Sequence, residues 1–155
     1  MEIRFAQPKD IPGILALLLQ VGSVHREGRP DLFRQGAQKY SASQILAMID
    51  DISCPIFVAA EEAGVLGYCF CQVKDFSKDS VMADYKTLYI DDLCVDAAQR
   101  GKKVGTALYD AAVSYAKMRK CYNVTLNVWC CNESAMAFYE KLGLKPQKIG
   151  METIL

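Results

Sequence analysis

The stretch that decides the fold is Tyr89–Ala116, YIDDLCVDAAQRGKKVGTALYDAAVSYA. Leu88 to Val95 is rich in branched and aromatic residues and predicts a strand. A short polar turn follows, Asp96 to Arg100. From Val104 the apolar residues fall at Val104, Leu108, Ala111, Ala112 and Tyr115, the spacing of one helical face. Strand, glycine-bearing basic turn, then helix is an arrangement that aims unpaired backbone N–H groups at an anion. Gly101 and Gly105 leave room for close approach, and Arg100, Lys102 and Lys103 add positive charge. The stretch predicts a phosphate-bearing ligand. Two familiar phosphate loops are excluded, because neither GxGxxG nor GxxxxGK followed by Ser or Thr occurs.

Upstream, Glu2 to Ala6 alternates and predicts a first strand. Pro8-Lys9-Asp10 opens a helix with Ile11, Ile14, Leu15, Leu18 and Val21 on its buried face. Gly22 to Tyr40 is a polar segment without a definite period. Ser41 or Ser43 caps a second short helix whose inner side carries Ile45, Leu46, Met48 and Ile49. Pro55 to Ala60 and Val65 to Val73 are apolar runs joined by Glu61-Glu62-Ala63-Gly64, a hairpin. A loop, Lys74 to Ala83, leads to the deciding strand.

Downstream, Tyr122 to Trp129 predicts a strand beside it, completing a β-α-β unit. Asn132 opens a last helix that stops at Gly143. Leu144 to Leu155, after a Lys145-Pro146 break, contains two short strand-like pieces. The expected order is β-α-α-β-β-β-α-β-α-β, an α/β sheet with helices on both faces.

Size and charge narrow the function. A chain of 155 residues, 52% hydrophobic and 23% charged, is expected to form one domain, 1–155, with a real core. With 18 basic against 18 acidic residues the net charge is zero, so a nucleic-acid coat is excluded and only a local basic patch is on offer. The longest apolar run, Ile14 to Leu19, is too short to span a bilayer, and no signal peptide is evident at the N-terminus. The expectation is a cytoplasmic protein with no membrane or nucleic-acid partner. Seven cysteines include no CxxC pair, and the single histidine is remote from them in sequence. Reduced, mostly buried thiols are therefore expected, with no metal.

The last helix carries a second constellation. Asn132 and Tyr139 are seven residues apart and share a face with Ala135, which leaves that face open for a ligand to pass. Phe138 and Leu142 lie one turn apart on the neighbouring face. On residue type alone Asn132 is equally a helix cap, and Tyr139 a half-buried aromatic with a wet hydroxyl.

Together these stretches resemble the GNAT N-acetyltransferases. Arg100 to Gly105, RGKKVG, is similar to the family's Gln/Arg-x-x-Gly-x-Gly/Ala motif, with Lys103 standing at its first Gly. Asn132 to Leu144, NESAMAFYEKLGL, is similar to its Asn-x-x-Ala-x-x-Phe-Tyr-x-x-x-Gly-Phe motif, with Leu144 for Phe. The resemblance implies a mixed sheet whose central strands splay apart, with acetyl-CoA lying in the V. It implies that the backbone of Leu93, Cys94 and Val95 pairs with the pantetheine arm. The amides of Arg100, Gly101, Lys102, Lys103, Val104, Gly105 and Thr106 would hold the pyrophosphate. Asn127, Asn132 and Phe138 would complete the cofactor site.

The reaction implied is direct attack of a primary amine on the thioester. Tyr139 would be the general acid and an N–H near Val95 the oxyanion donor. Asp91 and Asp92 are the candidate bases. Adjacent strand residues leave on opposite faces, so only one is expected to point at the thioester. The run IDDLCV resembles the polyamine acetyltransferase version, in which the first acid is the base, and that favours Asp91. His25, Arg29 and Asp31 fall in the segment that covers the acceptor pocket in relatives. The resemblance would put Cys94 and Cys131 near the thioester, where a covalent acetyl-cysteine route is conceivable, though that route is uncommon in the family. The expected acceptor is a small amine such as a polyamine, amino acid derivative or aminoglycoside. A protein N-terminus or lysine, or a binding module that has lost catalysis, are the alternatives, and a homodimer is left open.

Overall fold

The computed structural model describes residues 1–155. A five-stranded sheet runs in the order β1 (Glu2–Phe5), β2 (Ile56–Glu61), β3 (Gly64–Asp75), β4 (Lys86–Val95), β5 (Asn123–Leu126). Neighbours are antiparallel except β4 and β5, which are parallel and joined through α3 (Val104–Met118). On one face lie α1 (Ile11–Gly28) and α2 (Ala42–Ile49), packed over Tyr68, Phe70 and Cys94. On the other, α3 covers Cys69, Cys71, Leu88 and Ile90. From Tyr68 to Cys71, β3 alternates between the two cores, which is why that run looked apolar throughout. After β5 comes α4 (Glu133–Lys141).

Capping fixes the helix starts. Ser41 Oγ accepts from the Gln44 amide while Gln44 Oε1 accepts from the Ser41 amide, a reciprocal box that chooses Ser41 over Ser43. Asp10 ends a short 3-10 turn, Pro8–Asp10, and takes both forks of Arg4 at 2.6 and 3.0 Å, tying β1 to the entry of α1.

Five expectations need correction. First, α1 continues to Gly28, so His25 and Arg26, read in a polar segment without a definite period, are helical. Second, Leu46 points outward, 48% exposed, while Ile45, Met48 and Ile49 face the core. Third, β5 ends at Leu126 instead of Trp129, because its last rung is Ile90↔Leu126 and β4 then turns away from it. Fourth, Leu144–Leu155 forms no strand: residues 145–155 are exposed, Pro146 offers no N–H to a ladder, and no neighbouring strand pairs with them.

The fifth concerns the two acids. Phe70 pairs with Asp92 and Cys71 with Ile90, so Asp91 is an extra residue in β4, a bulge. A bulge resets the alternation. Ile90 faces α3, and both Asp91 and Asp92 bond to side chains of the opposite face. The acids therefore do not leave on opposite sides.

Candidate active site

The bulge and the end of β5 coincide. Beyond Ile90, β4 keeps β3 on one side but has no strand on the other, which leaves the edge of Asp91 to Val95 unpaired toward the gap. At the far end of this edge, Asp96 accepts from the Ala98 amide and from Gln20 Nε2, anchoring the turn to α1.

The turn itself is short of acceptors. The helical ladder of α3 begins with Ala107 N–H donating to Lys103 O, and the amides of Arg100 through Thr106 have no partner in the protein. Gly101 and Lys103 sit at φ 79° and 63°, the left-handed region. Lys103 is thus a non-glycine residue where the backbone favours glycine. A Cβ on Gly105 would meet Phe138 Cζ at 3.1 Å and Val95 Cγ2 at 3.5 Å. Gly105 is needed to seat the Phe138 ring, and so α4, against the start of α3.

On α4, Asn132 is the N-cap, its Oδ1 accepting from the Ala135 amide at 3.1 Å. Its side-chain N–H2 is left free by this. Asn127, just past β5, donates from Nδ2 to the Tyr89 hydroxyl at 3.1 Å, holding the strand end to β4. The Tyr139 phenol is pushed above its ordinary value by burial, reinforced by nearby Cys69 and Asp92.

Around the bulge stands a polar cluster. Tyr40 Oη donates to Asp91 Oδ2 at 2.5 Å, and Lys39 Nζ lies 2.8 Å from the same oxygen. Lys39 Nζ also donates to the Asp91 carbonyl at 3.0 Å. Tyr68 Oη donates to Asp92 Oδ2 at 3.1 Å. The rings of Tyr40, Phe70 and Tyr68 make a row of contacts, tilted between Tyr40 and Phe70 and edge-to-face between Phe70 and Tyr68, with centroids 5.1 and 5.0 Å apart. Burial pushes the Asp92 carboxyl up to about 6, although Lys39 and the Tyr68 hydrogen bond oppose the shift.

The remaining candidates surround this cluster. His25 stacks on Phe33 (5.1 Å), and Trp129 meets Phe33 edge-on (5.3 Å), making an aromatic wall at the end of α1. Burial lowers the His25 pKa, with Lys39 adding to the effect. Arg29 is taken up by Asp31 and Glu152. Cys94 is buried under α1, its thiol pushed up to about 12 by burial, so it is a poor nucleophile. Cys131 packs against Gly28, where a Cβ would come within 2.6 Å of its sulfur.

Sequence reasoning missed Lys39, Tyr40 and Tyr68. Tyr68 carried a signal, a polar-tipped ring inside an apolar strand. Lys39 and Tyr40 carried none beyond preceding a capping serine.

A profile of the acetyltransferase (GNAT) family matches residues 23–144. The chain belongs to the GNAT family. A crystal structure of a mutant BH1408 protein from Bacillus halodurans superposes with a TM-score of 0.94 at 31% identity, covering 100% of this chain and 99% of that one. An aminoglycoside acetyltransferase from an uncultured soil metagenomic sample, in complex with sisomicin, shares the fold (TM-score 0.73, 16% identity, 99% and 95% covered). Glucosamine 6-phosphate N-acetyltransferase from Arabidopsis thaliana is 33% identical over 79 residues, 46% of this chain and 51% of that protein. The chain thus spans about half the length of that curated relative or less of others. No helix is long and apolar enough to cross a membrane.

Proposed function

We propose that this GNAT chain transfers the acetyl group of acetyl-CoA to a primary amine of a small molecule by direct attack. One observation carries the reading. A run of unpartnered amides, Arg100 to Thr106, leads along an unpaired strand edge to the gap where β4 and β5 part, beside Asp91 and Asp92.

The residues fit the donor's parts in turn. The free amides, with Arg100, Lys102 and Lys103, suit a pyrophosphate. The open edge at Leu93 to Val95 suits the amide-bearing pantetheine arm, taken up as a short added strand. The side-chain amide of Asn132 has donors to spare for the same arm. Once bound, the coenzyme supplies an acetyl group activated as a thioester.

The remaining chemistry falls to side chains. An amine must lose a proton, and a carboxylate of ordinary pKa near 4 takes it poorly. Asp92, raised to about 6, is the better base, while Asp91 holds the incoming ammonium by charge. This reverses the preference drawn from the polyamine enzymes. Tyr139 keeps its proton at any physiological pH. Full donation to a thiolate of pKa near 8.5 is then uphill unless the sulfur is desolvated alike. Its role is a hydrogen bond to sulfur that becomes proton transfer as charge develops there. Arg29 and Asp31 satisfy each other and receive no role.

The test is release of free thiol from acetyl-CoA over a panel of amino sugars, polyamines, amino acid derivatives and peptides. At least one small amine is expected to turn over, and Tyr139→Phe to lower kcat by about 10²–10⁴-fold. Turnover confined to peptides, or coenzyme binding with no turnover, contradicts the reading.

A further inference from the structure

The subsite just assigned to the acceptor's ammonium already holds a primary amine. Lys39 Nζ sits 2.8 Å from Asp91 Oδ2 and 3.0 Å from the Asp91 carbonyl, and lies 5.7 Å from the Tyr40 ring centroid. That carboxylate belongs to the bulged residue, at the rung where β4 and β5 part. The Asp91 side chain is 12% exposed, whereas that of Lys39 is 44% exposed and reaches in from the loop before α2. Three other lysines are engaged away from this cluster: Lys86 with Asp75, Lys102 with Gln99, Lys74 over the Tyr89 ring. The chain thus places one ammonium of its own where the reaction needs a foreign one.

Resting on the reading above, we propose that Lys39 is an internal acceptor, acetylated once per chain from acetyl-CoA bound in the cleft. The step balances. The Lys39 ammonium gives one proton to Asp92 and thence to water. Its nitrogen forms the new bond to the thioester carbonyl carbon as the carbon–sulfur bond breaks. The departing sulfur takes the second nitrogen proton by way of Tyr139. One ammonium and one acetyl-CoA yield one acetyl-lysine, one free coenzyme A thiol and one proton. Acetyl-lysine carries no charge, so the product loses its hold on Asp91 and leaves the carboxylate free for an external amine. Lys39 is then a plug that the donor removes.

The experiment incubates the full-length protein with acetyl-CoA and no amine, and reads intact mass and the modified peptide. The expected result is one acetyl group per chain on Lys39, absent in Lys39→Arg. Modification should slow by about 10²–10⁴-fold in Tyr139→Phe, the range for loss of a general acid. Asp92→Asn, a second variant, should slow it as well. Acetylation spread evenly over surface lysines and indifferent to both variants overturns the proposal. Coenzyme binding measured by calorimetry, and amine turnover, are followed on the same protein. Turnover of an external amine with Lys39 unmodified overturns this inference while the N-acetyltransferase reading stands. Failure to bind acetyl-CoA overturns both.

Discussion

Asp92 shows how one side chain links stability to chemistry. Its carboxyl is held at about 6 against an ordinary value near 4, because burial disfavours the charged form. A carboxyl raised by folding contributes its full stability below about pH 4, where it is neutral in both states, and loses that contribution as the pH rises through about 6. The roughly two-unit gap corresponds to at most about 3 kcal/mol. Asp92→Asn is therefore expected to be more stable than wild type in urea denaturation at pH 7.5. The difference should shrink toward zero near pH 4, and one that did not change with pH would contradict the buried carboxylate. Where an amine turns over, the acid limb of kcat/KM should fall near pH 6 and vanish in this variant. None of this was legible in the run IDDLCV. Alternation put the two acids on opposite faces, and the bulge that overrides alternation depends on how Phe70 and Cys71 pair with β4. Pairing is a property of two strands, and one strand's sequence does not contain it.

At the scale of the element, the turn into α3 combines a legible feature with a strained one. Its amides, glycines and basic residues could be read directly, because strand, turn and helix are each set by local spacing. Lys103 could be read only as a departure from the family pattern. The structure supplies the reason the pattern asks for glycine, since Lys103 adopts φ 63° at the N-cap of α3. A left-handed L-residue costs about 1–2 kcal/mol, partly offset in any glycine replacement by the unfolded chain's added freedom. Lys103→Gly is expected to raise stability by up to about 1 kcal/mol, read as a higher denaturation midpoint at unchanged slope. A lowered midpoint would mean that the lysine side chain contributes more than its backbone costs. The last helix was legible for the same local reason as α3. Its docking was not, because the Phe138–Gly105 contact joins segments far apart in sequence.

At the scale of the whole molecule, element order came through almost intact, and the error lies at the end. Ile149, Met151, Ile154 and Leu155 gave the tail a strand-like look, yet all four are exposed and Glu152 is drawn instead to Arg29. Strand propensity describes a surface that fits a sheet, and here no strand receives it. What organises the molecule is the parting of β4 from β5. The shortness of β5, the bulge at Asp91 and the unpaired edge that runs on to the free amides of the turn all meet there. The acids and tyrosines of the α1–α2 side reach the gap from one face, and α4 reaches it from the other.

The most direct measurement is a crystal structure of the protein with coenzyme A. The expected result is the pyrophosphate on the amides of Arg100 to Thr106, the pantetheine along the Leu93 to Val95 edge, and the sulfur within hydrogen-bonding reach of Tyr139 Oη. A coenzyme bound outside the gap, or a sulfur turned away from Tyr139, would contradict it.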